Sequence, residues 1–407
     1  MHLTKEDRYI RRRLRQARKQ ARQFYYCRKY PINPKKIVFT TIEGTTGFSC
    51  NPKYIALELL RRRQDLDLVW LVDDMAKEFP PGIRKVRNTL QNRAYELSTA
   101  AIWVDNSRKQ LECRKRPGQF YLQTWHAGLA LKPIGMERGK SFSRIAYLVS
   151  KHDSNLIDYA LSNSEYYEME LMPQGWIYAG PSLRLGFPRC DILVNKNVEK
   201  QKEIRKKCGL QSNEKIVLYA PTFRGGSQTT VRKIYSNELG LDYEKVVKTL
   251  EACFGGNWSM FLRLHPQLTV RDIKSDVSDS RIIDVSQHDD MYELLMCCDA
   301  LITDYSCVSF DAMYMGIPIF LFVPDLQEYE KERGKLLWNL GDLPFPYALS
   351  EEMLHREILN FNNDIYQNKI HKFIQMLGLK QPGDSSRLVV DFIENKLRSD
   401  LGGHYLT

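Results

Sequence analysis

The stretch ALITDYSCVSFDAMYMGIPIFLF, residues 300–322, decides the fold. Its two apolar runs, 300–303 and 317–322, have strand length, and residues 307–315 between them space their apolar side chains as a helix does. Two such strands joined by a helical connection of about a dozen residues form a parallel β-α-β unit. The polar turn Asp304-Tyr305-Ser306 falls where the first strand passes into the helix. Sheets of this kind bind ligands at that end of their strands.

The same alternation continues outward. Strands are predicted at 215–220 (KIVLYA), 260–264 (MFLRL) and 281–285 (RIIDV), with helices at 197–208 and 288–298. Towards the N-terminus, 36–41 (KIVFTT), 67–72 (DLVWLV), 101–104 (AIWV) and 120–124 (FYLQT) read as strands, with a helix over Pro52–Arg63. The expected fold class is α/β, with two Rossmann-like domains, 31–195 and 210–380, facing a cleft. A last helix, Ser386–Leu397 within 381–407, is expected to return to the first domain.

Composition locates the charge. Residues 1–30 contain eleven Lys and Arg against Glu6 and Asp7, so this segment holds +9 of the chain's net +11 and the remaining body is almost neutral. This asymmetry argues against a nucleic-acid groove spread over the fold and points instead to a basic arm for an anionic surface. Ile10, Leu14, Ala17, Ala21 and Phe24 recur as one stripe of an amphipathic helix. Such a helix can lie in a membrane interface; alternatively the stripe packs on the body. No run approaches the ~20 apolar residues of a membrane span. No apolar core follows the basic start as in a signal peptide, so the expected location is the cytoplasmic face of the membrane, peripherally attached. The nine cysteines are scattered without metal-ligand spacing, which points to reduced thiols and against zinc.

Candidate site residues follow the strands. In the second half, Thr222-Phe223-Arg224 follows one strand and His265-Pro266 another, while Thr303, Asp304 and Ser306 end a third. Arg224 and His265 offer charge, Thr303 and Ser306 offer hydroxyls, and the following helix offers backbone amides, all suited to a pyrophosphate. Taken singly, Asp304 and Ser306 are also ordinary helix caps. In the first half, Gln123-Thr124-Trp125-His126-Ala127-Gly128 ends a strand, which places His126 at the equivalent rim. Histidine is suited to act as general base on a hydroxyl because its ordinary pKa is near neutrality.

These segments together form a pattern. TWHAGLALKPIG at 124–135 resembles the WHG-x-x-LK-x-[IL]G motif of the CDP-glycerol glycerophosphotransferases that build wall teichoic acid. GFPRCDIL at 186–193 is similar to that family's G-x-PR-x-D-x-L, and YAPTFRG at 219–225 and LRLHP at 262–266 are further matches. ITDYSCVSFDAMYMGIPI, followed by Asp325, Glu328, Tyr329 and Arg333-Gly334, resembles TDYSS-x-x-FD…P…DLEEY…RG. The resemblance runs in order from about 120 to 335.

The resemblance implies a GT-B-type pair of domains, the first for acceptor and the second for a CDP-polyol donor, CDP-glycerol or CDP-ribitol. It implies His126 as base on the hydroxyl of a lipid-linked or growing polymer and His265 as stabiliser of pyrophosphate charge. Thr303, Asp304, Ser306, Arg224, Arg333 and Lys132 are implied at the substrates, with Asp311 in support. The motifs call for no cofactor of their own; Mg2+ enters only as a companion of the donor pyrophosphate. Ala127 stands where the family has glycine, and Cys307 replaces the second serine of TDYSS. Glycerol, ribitol or another polyol- or sugar-phosphate stays open, since these motifs address nucleotide and phosphates. A nucleotide-sugar glycosyltransferase on the same fold is the other enzymatic alternative.

Overall fold

The computed structural model describes residues 4–211, 213–222, 241–264 and 279–402. The chain forms two compact units. The first contains residues 1–128, 134–191 and 380–407; the second contains 129–133 and 192–379.

The first unit is built on a seven-stranded sheet of β1 (Asn33–Thr40), β2 (Asp67–Val72), β3 (Ile83–Arg87), β4 (Ala100–Asp105), β5 (Phe120–Gln123), β6 (Tyr159–Ser162) and β7 (Ser182–Arg184). Its order is β3-β2-β1-β4-β5-β6-β7, and every pairing is parallel. The order reverses between β1 and β4, which opens the crevice where such sheets bind ligands. β2 and β4 are nearly continuous apolar runs because both faces of these inner strands are covered. Phe39 stacks on Trp70 at 5.4 Å in this core.

The second unit carries β8 (Lys215–Ala220), β9 (Trp258–Leu262), β10 (Ile282–Asp284), β11 (Ala300–Thr303), β12 (Ile319–Phe322) and β13 (Tyr347–Ala348). The order β10-β9-β8-β11-β12-β13 is again wholly parallel, with its reversal between β8 and β11. The opening segment forms the β-α-β unit expected of it, although its helix is only Val308–Ala312 followed by a 3-10 turn, Met313–Met315. The sequence reading missed β3, β6, β7 and β13. These are short or edge strands, and the mixed pattern of β3 (IRKVR) suits an edge exposed to water.

The basic N-terminal segment is a helix, Lys5–Cys27, capped by Thr4 and Asp7 in a reciprocal capping box. Its apolar stripe of Ile10, Ala17, Ala21 and Phe24 is buried within the first unit, where the helix packs on helix Leu90–Thr99. Lipid is therefore not what covers that stripe. Arg11, Arg12, Arg15, Arg18, Lys19 and Arg22 remain exposed. Among the described residues no helix is long and apolar enough to cross a membrane. All nine cysteines are free thiols.

The last helix, Ser385–Gly402, belongs to the first unit, where Arg62 bridges to Asp391 at 2.5 Å. The GFPRCDIL motif explains its anchorage. Asp191 accepts from the Ser385 and Ser386 amides at 3.0 and 2.7 Å and from the Ser386 hydroxyl at 2.7 Å, so it caps this helix across nearly two hundred residues of chain.

Candidate active site

In the first unit the polar loops after β1, β4 and β5 are bonded to one another. After β1, Ile42 and Glu43 adopt left-handed backbone conformations. That turn is held from the β4 loop: the Ile42 amide donates to Asn106 Oδ1 at 2.8 Å and the Glu43 amide to Ser107 Oγ at 2.9 Å. After β5, Trp125 is also left-handed, with φ +47°. Its amide donates to Gln123 Oε1 at 3.0 Å, and Asn51 Nδ2 donates to the carbonyls of Thr124 and Trp125 at 3.0 and 2.9 Å. A bulky residue persists in that region only where its surroundings fix it.

This turn projects His126 outward as an exposed residue between buried Trp125 and Ala127. His126 Nδ1 lies 2.7 Å from the Asn106 carbonyl. A carbonyl can only accept, so the neutral ring carries its proton on Nδ1 and presents Nε2 as the basic nitrogen. Gly128 serves close packing: a Cβ there would lie 2.9 Å from the Phe187 ring. Ala127 is thus accommodated directly after the histidine, while the next position needs glycine.

Beneath the turn lies a buried polar network. Asp153 Oδ1 accepts from the Lys109 amide at 2.8 Å and the Tyr121 hydroxyl at 3.1 Å, and Gln123 Nε2 donates to the Tyr121 oxygen at 2.8 Å. Lys109 is paired with Asp105 in the same layer. Burial, with Asp105 adding to it against the two hydrogen bonds, pushes the Asp153 carboxyl up from 3.8 to about 7. A carboxyl whose folded pKa is raised holds its proton more tightly in the folded state. Its stabilisation is complete below about pH 4 and is lost as pH rises towards about 7. Asp153→Asn keeps an acceptor for Lys109 and Tyr121, so it is expected to flatten the stability profile and to stabilise above pH 7 by about 2–4 kcal/mol. Parallel wild-type and variant Tm curves between pH 4 and 8 would contradict this.

In the second unit, Thr303 and Asp304 act within the protein framework. Thr303 Oγ1 donates to the Ala220 carbonyl at 2.7 Å. The buried Asp304 carboxylate accepts the Thr222 amide at 2.9 and 2.8 Å and its hydroxyl at 2.6 Å, which joins the ends of β8 and β11 across the switch point. Ser306 Oγ accepts from the Val308 amide at 3.4 Å, and Asp311 accepts from the Tyr292 hydroxyl at 2.5 Å. Arg333 ends helix Leu326–Arg333, and Gly334 beyond it has φ +98° with Pro133 3.3 Å from where its Cβ would be. The Leu337 amide donates to the Leu131 carbonyl at 2.9 Å, so the segment containing Lys132 lies against the one following Arg333. His265 and Arg224 lie outside the described residues. Among the described residues no group of three or more His, Cys, Asp or Glu is placed to hold a metal ion.

The sequence reading did not single out Asn51 or Asn106, which brace the turns around His126. Asn106 directly follows a strand that was foreseen, and position beyond a strand end at a switch point was the available signal.

Two doubly wound parallel sheets with polar loops at their switch points form an α/β architecture of the kind that binds ligands beyond those strand ends. Residues 22–395 match the CDP-glycerol:poly(glycerophosphate) glycerophosphotransferase model, and the chain belongs to that family. It is 30% identical over 379 residues to a teichoic acid poly(glycerol phosphate) polymerase of Staphylococcus epidermidis, covering 90% of this chain and 51% of that protein. It thus spans about half the length of that relative. A Bacillus spizizenii polymerase of the same description is 30% identical over 373 residues, covering 89% of this chain and 92% of its own. Among solved structures, the wall teichoic acid polymerase TagF in a histidine-to-alanine variant superposes with TM-score 0.79 at 27% identity, covering 98% of this chain and all of that one. A histidine-to-asparagine variant of TagF soaked with CDPG gives TM-score 0.79 at 28% identity, covering 94% of each chain.

Proposed function

We propose that this chain transfers glycerol phosphate from CDP-glycerol to a hydroxyl of a lipid-linked or growing polymer in teichoic acid or capsule synthesis, releasing CMP. The observation that carries this reading is His126, exposed on a clamped turn with the Asn106 carbonyl fixing its tautomer. Nε2 takes the proton of the acceptor hydroxyl as its oxygen attacks the donor phosphorus that bears glycerol. The bond from that phosphorus to the bridging oxygen breaks, and CMP leaves. His265 and Arg224 compensate charge on the pyrophosphate, and Ser306, Arg333 and Lys132 line the donor side. Thr303, Asp304 and Asp311 act by holding that side in shape. Mg2+ is assigned only as a companion of the pyrophosphate.

This chemistry calls for a GT-B-type division of labour, with acceptor on the first unit and donor on the second. A ribitol reading has its own support, because a poly(ribitol-phosphate) polymerase of Bacillus spizizenii is 26% identical over 377 residues. CMP release with CDP-glycerol, CDP-ribitol or a UDP-sugar and a lipid-linked acceptor tests all three. CDP-glycerol should be used. Release from CDP-ribitol alone would change the polymer, and UDP release would overturn the reading.

We place the chain peripherally on the cytoplasmic membrane face through the exposed arginines of helix Lys5–Cys27, each contributing about 1 kcal/mol near anionic lipid. Co-sedimentation with phosphatidylglycerol vesicles is expected at low salt and should be lost at high salt. Equal binding to neutral phosphatidylcholine vesicles would exclude this electrostatic mode.

A further inference from the structure

His126 is located from two ends. Its ring meets the Asn106 carbonyl, and its backbone is delivered by the left-handed Trp125 before it. Each peptide group is a rigid plane, so the two planes flanking Trp125 fix where the His126 side chain starts.

Side chains hold both planes. In the one joining Thr124 to Trp125, Asn51 Nδ2 donates to the Thr124 carbonyl at 3.0 Å and the Trp125 amide donates to Gln123 Oε1 at 3.0 Å. In the one joining Trp125 to His126, Asn51 Nδ2 donates again, to the Trp125 carbonyl at 2.9 Å. Asn51 and Gln123 are fully buried, so bulk water does not compete for these bonds.

Each carboxamide has one orientation that suits its neighbours. Asn51 Oδ1 accepts the Arg189 amide at 3.1 Å, while Gln123 Nε2 donates to the Tyr121 hydroxyl oxygen at 2.8 Å and to the Ser107 carbonyl at 3.0 Å. A backbone amide only donates and a carbonyl only accepts, so exchanging oxygen and nitrogen in either group would set donor against donor and acceptor against acceptor along the backbone. Asn51 follows a further left-handed residue, Cys50 with φ +59°, at the start of helix Cys50–Arg62. Such conformations persist where their surroundings over-determine them, and they cluster at functional sites.

We infer that Asn51 and Gln123 are positioning residues for His126: they hold Trp125 in its left-handed conformation and so aim the imidazole, without touching substrate. This rests on the reading of His126 as acceptor base. Misplacing a reacting group by about 1 Å costs up to ~10²-fold in rate. Arg189 belongs to GFPRCDIL, whose Asp191 caps the last helix. Through Asn51 the same motif reaches the turn before His126, which gives it a part in turnover besides that anchorage.

The test compares Asn51→Ala, Gln123→Met and Gln123→Glu with wild type in CMP release from CDP-glycerol, each assayed well below its own Tm. In Asn51→Ala and Gln123→Met, kcat is expected to fall ~10–100-fold while donor and acceptor KM stay within about threefold, as for lost alignment rather than lost binding. Gln123→Glu keeps an acceptor for the Trp125 amide and should recover part of the loss, whereas methionine matches glutamine in size without one. The two positions test the inference separately, so poor folding of one variant leaves the other decisive. Normal kcat in the folded variants, or raised KM with kcat unchanged, would overturn it.

Nitrogen NMR of the histidine-labelled full chain gives a readout apart from turnover. The signal that disappears in His126→Asn should show the proton on Nδ1 in wild type and lose that preference in Asn51→Ala and Gln123→Met, whose ring no longer meets the Asn106 carbonyl. An unchanged tautomer in both would overturn the inference. Full turnover in His126→Asn would instead overturn the reading of His126 as base, and the tautomer would still decide whether the two carboxamides aim the ring. An inactive His126→Asn beside fully active Asn51 and Gln123 variants would remove the positioning role alone.

Discussion

Replacing His126 with asparagine is expected to lower kcat by ~10²–10⁴-fold while leaving CDP-glycerol affinity nearly unchanged. The exposed imidazole fills no cavity, so its removal should not unfold the first unit. Asparagine can still donate to the Asn106 carbonyl that accepts from Nδ1, 2.7 Å away, so the turn is preserved. What disappears is the basic nitrogen presented as Nε2. His126→Ala should show the same loss with the loop less restrained, and agreement between the two variants would separate proton transfer from positioning. The measurement is single-turnover CMP formation with saturating donor, alongside calorimetric donor binding. Near-normal turnover in His126→Asn would remove this residue as the base. A large loss of donor affinity with kcat retained would move it to the donor site.

Asp304→Ala should produce the largest loss in the second unit. The carboxylate is 1% exposed and receives both the amide and the hydroxyl of Thr222, so alanine leaves two donors beside the ends of β8 and β11 without their acceptor. At about 1.5–3 kcal/mol for each hydrogen bond to a charged group, partly recovered by entering water, a net destabilisation of about 3 kcal/mol is expected. For a unit of this size that lowers Tm by about 6–12 °C. Because Thr222 leads directly into the Arg224 segment, donor affinity should also fall by ~10-fold or more, with Asp304→Asn intermediate. A Tm drop with intact donor affinity would confine Asp304 to folding. No change in either quantity would show that the strut carries no weight.

Parallel strands covered on both faces must be apolar almost throughout, which is why β1, β2, β4, β8 and β11 were legible as runs such as DLVWLV and KIVLYA. β6 (YALS), β7 (SLR) and β13 (YA) contain no Val, Ile or Thr, so no local β-branched signal marked them as strands. The basic helix was legible from its charge and spacing, but not what covered its apolar stripe. Ile10, Ala17, Ala21 and Phe24 would present the same periodicity to lipid or to protein, and here protein covers them.

By itself, the sequence determined the two α/β series, the polar turns beyond their strands, and the ordered motifs that mark the family. These depend on neighbouring residues, and local periodicity and spacing record them. The tertiary structure alone decided what the polar groups do. Asp304 meets Thr222, Asp191 caps a helix nearly two hundred residues away, and Asn106 sets the tautomer of His126. A side chain's chemistry is set by what surrounds it after folding, and those partners come from strands that the chain order keeps apart.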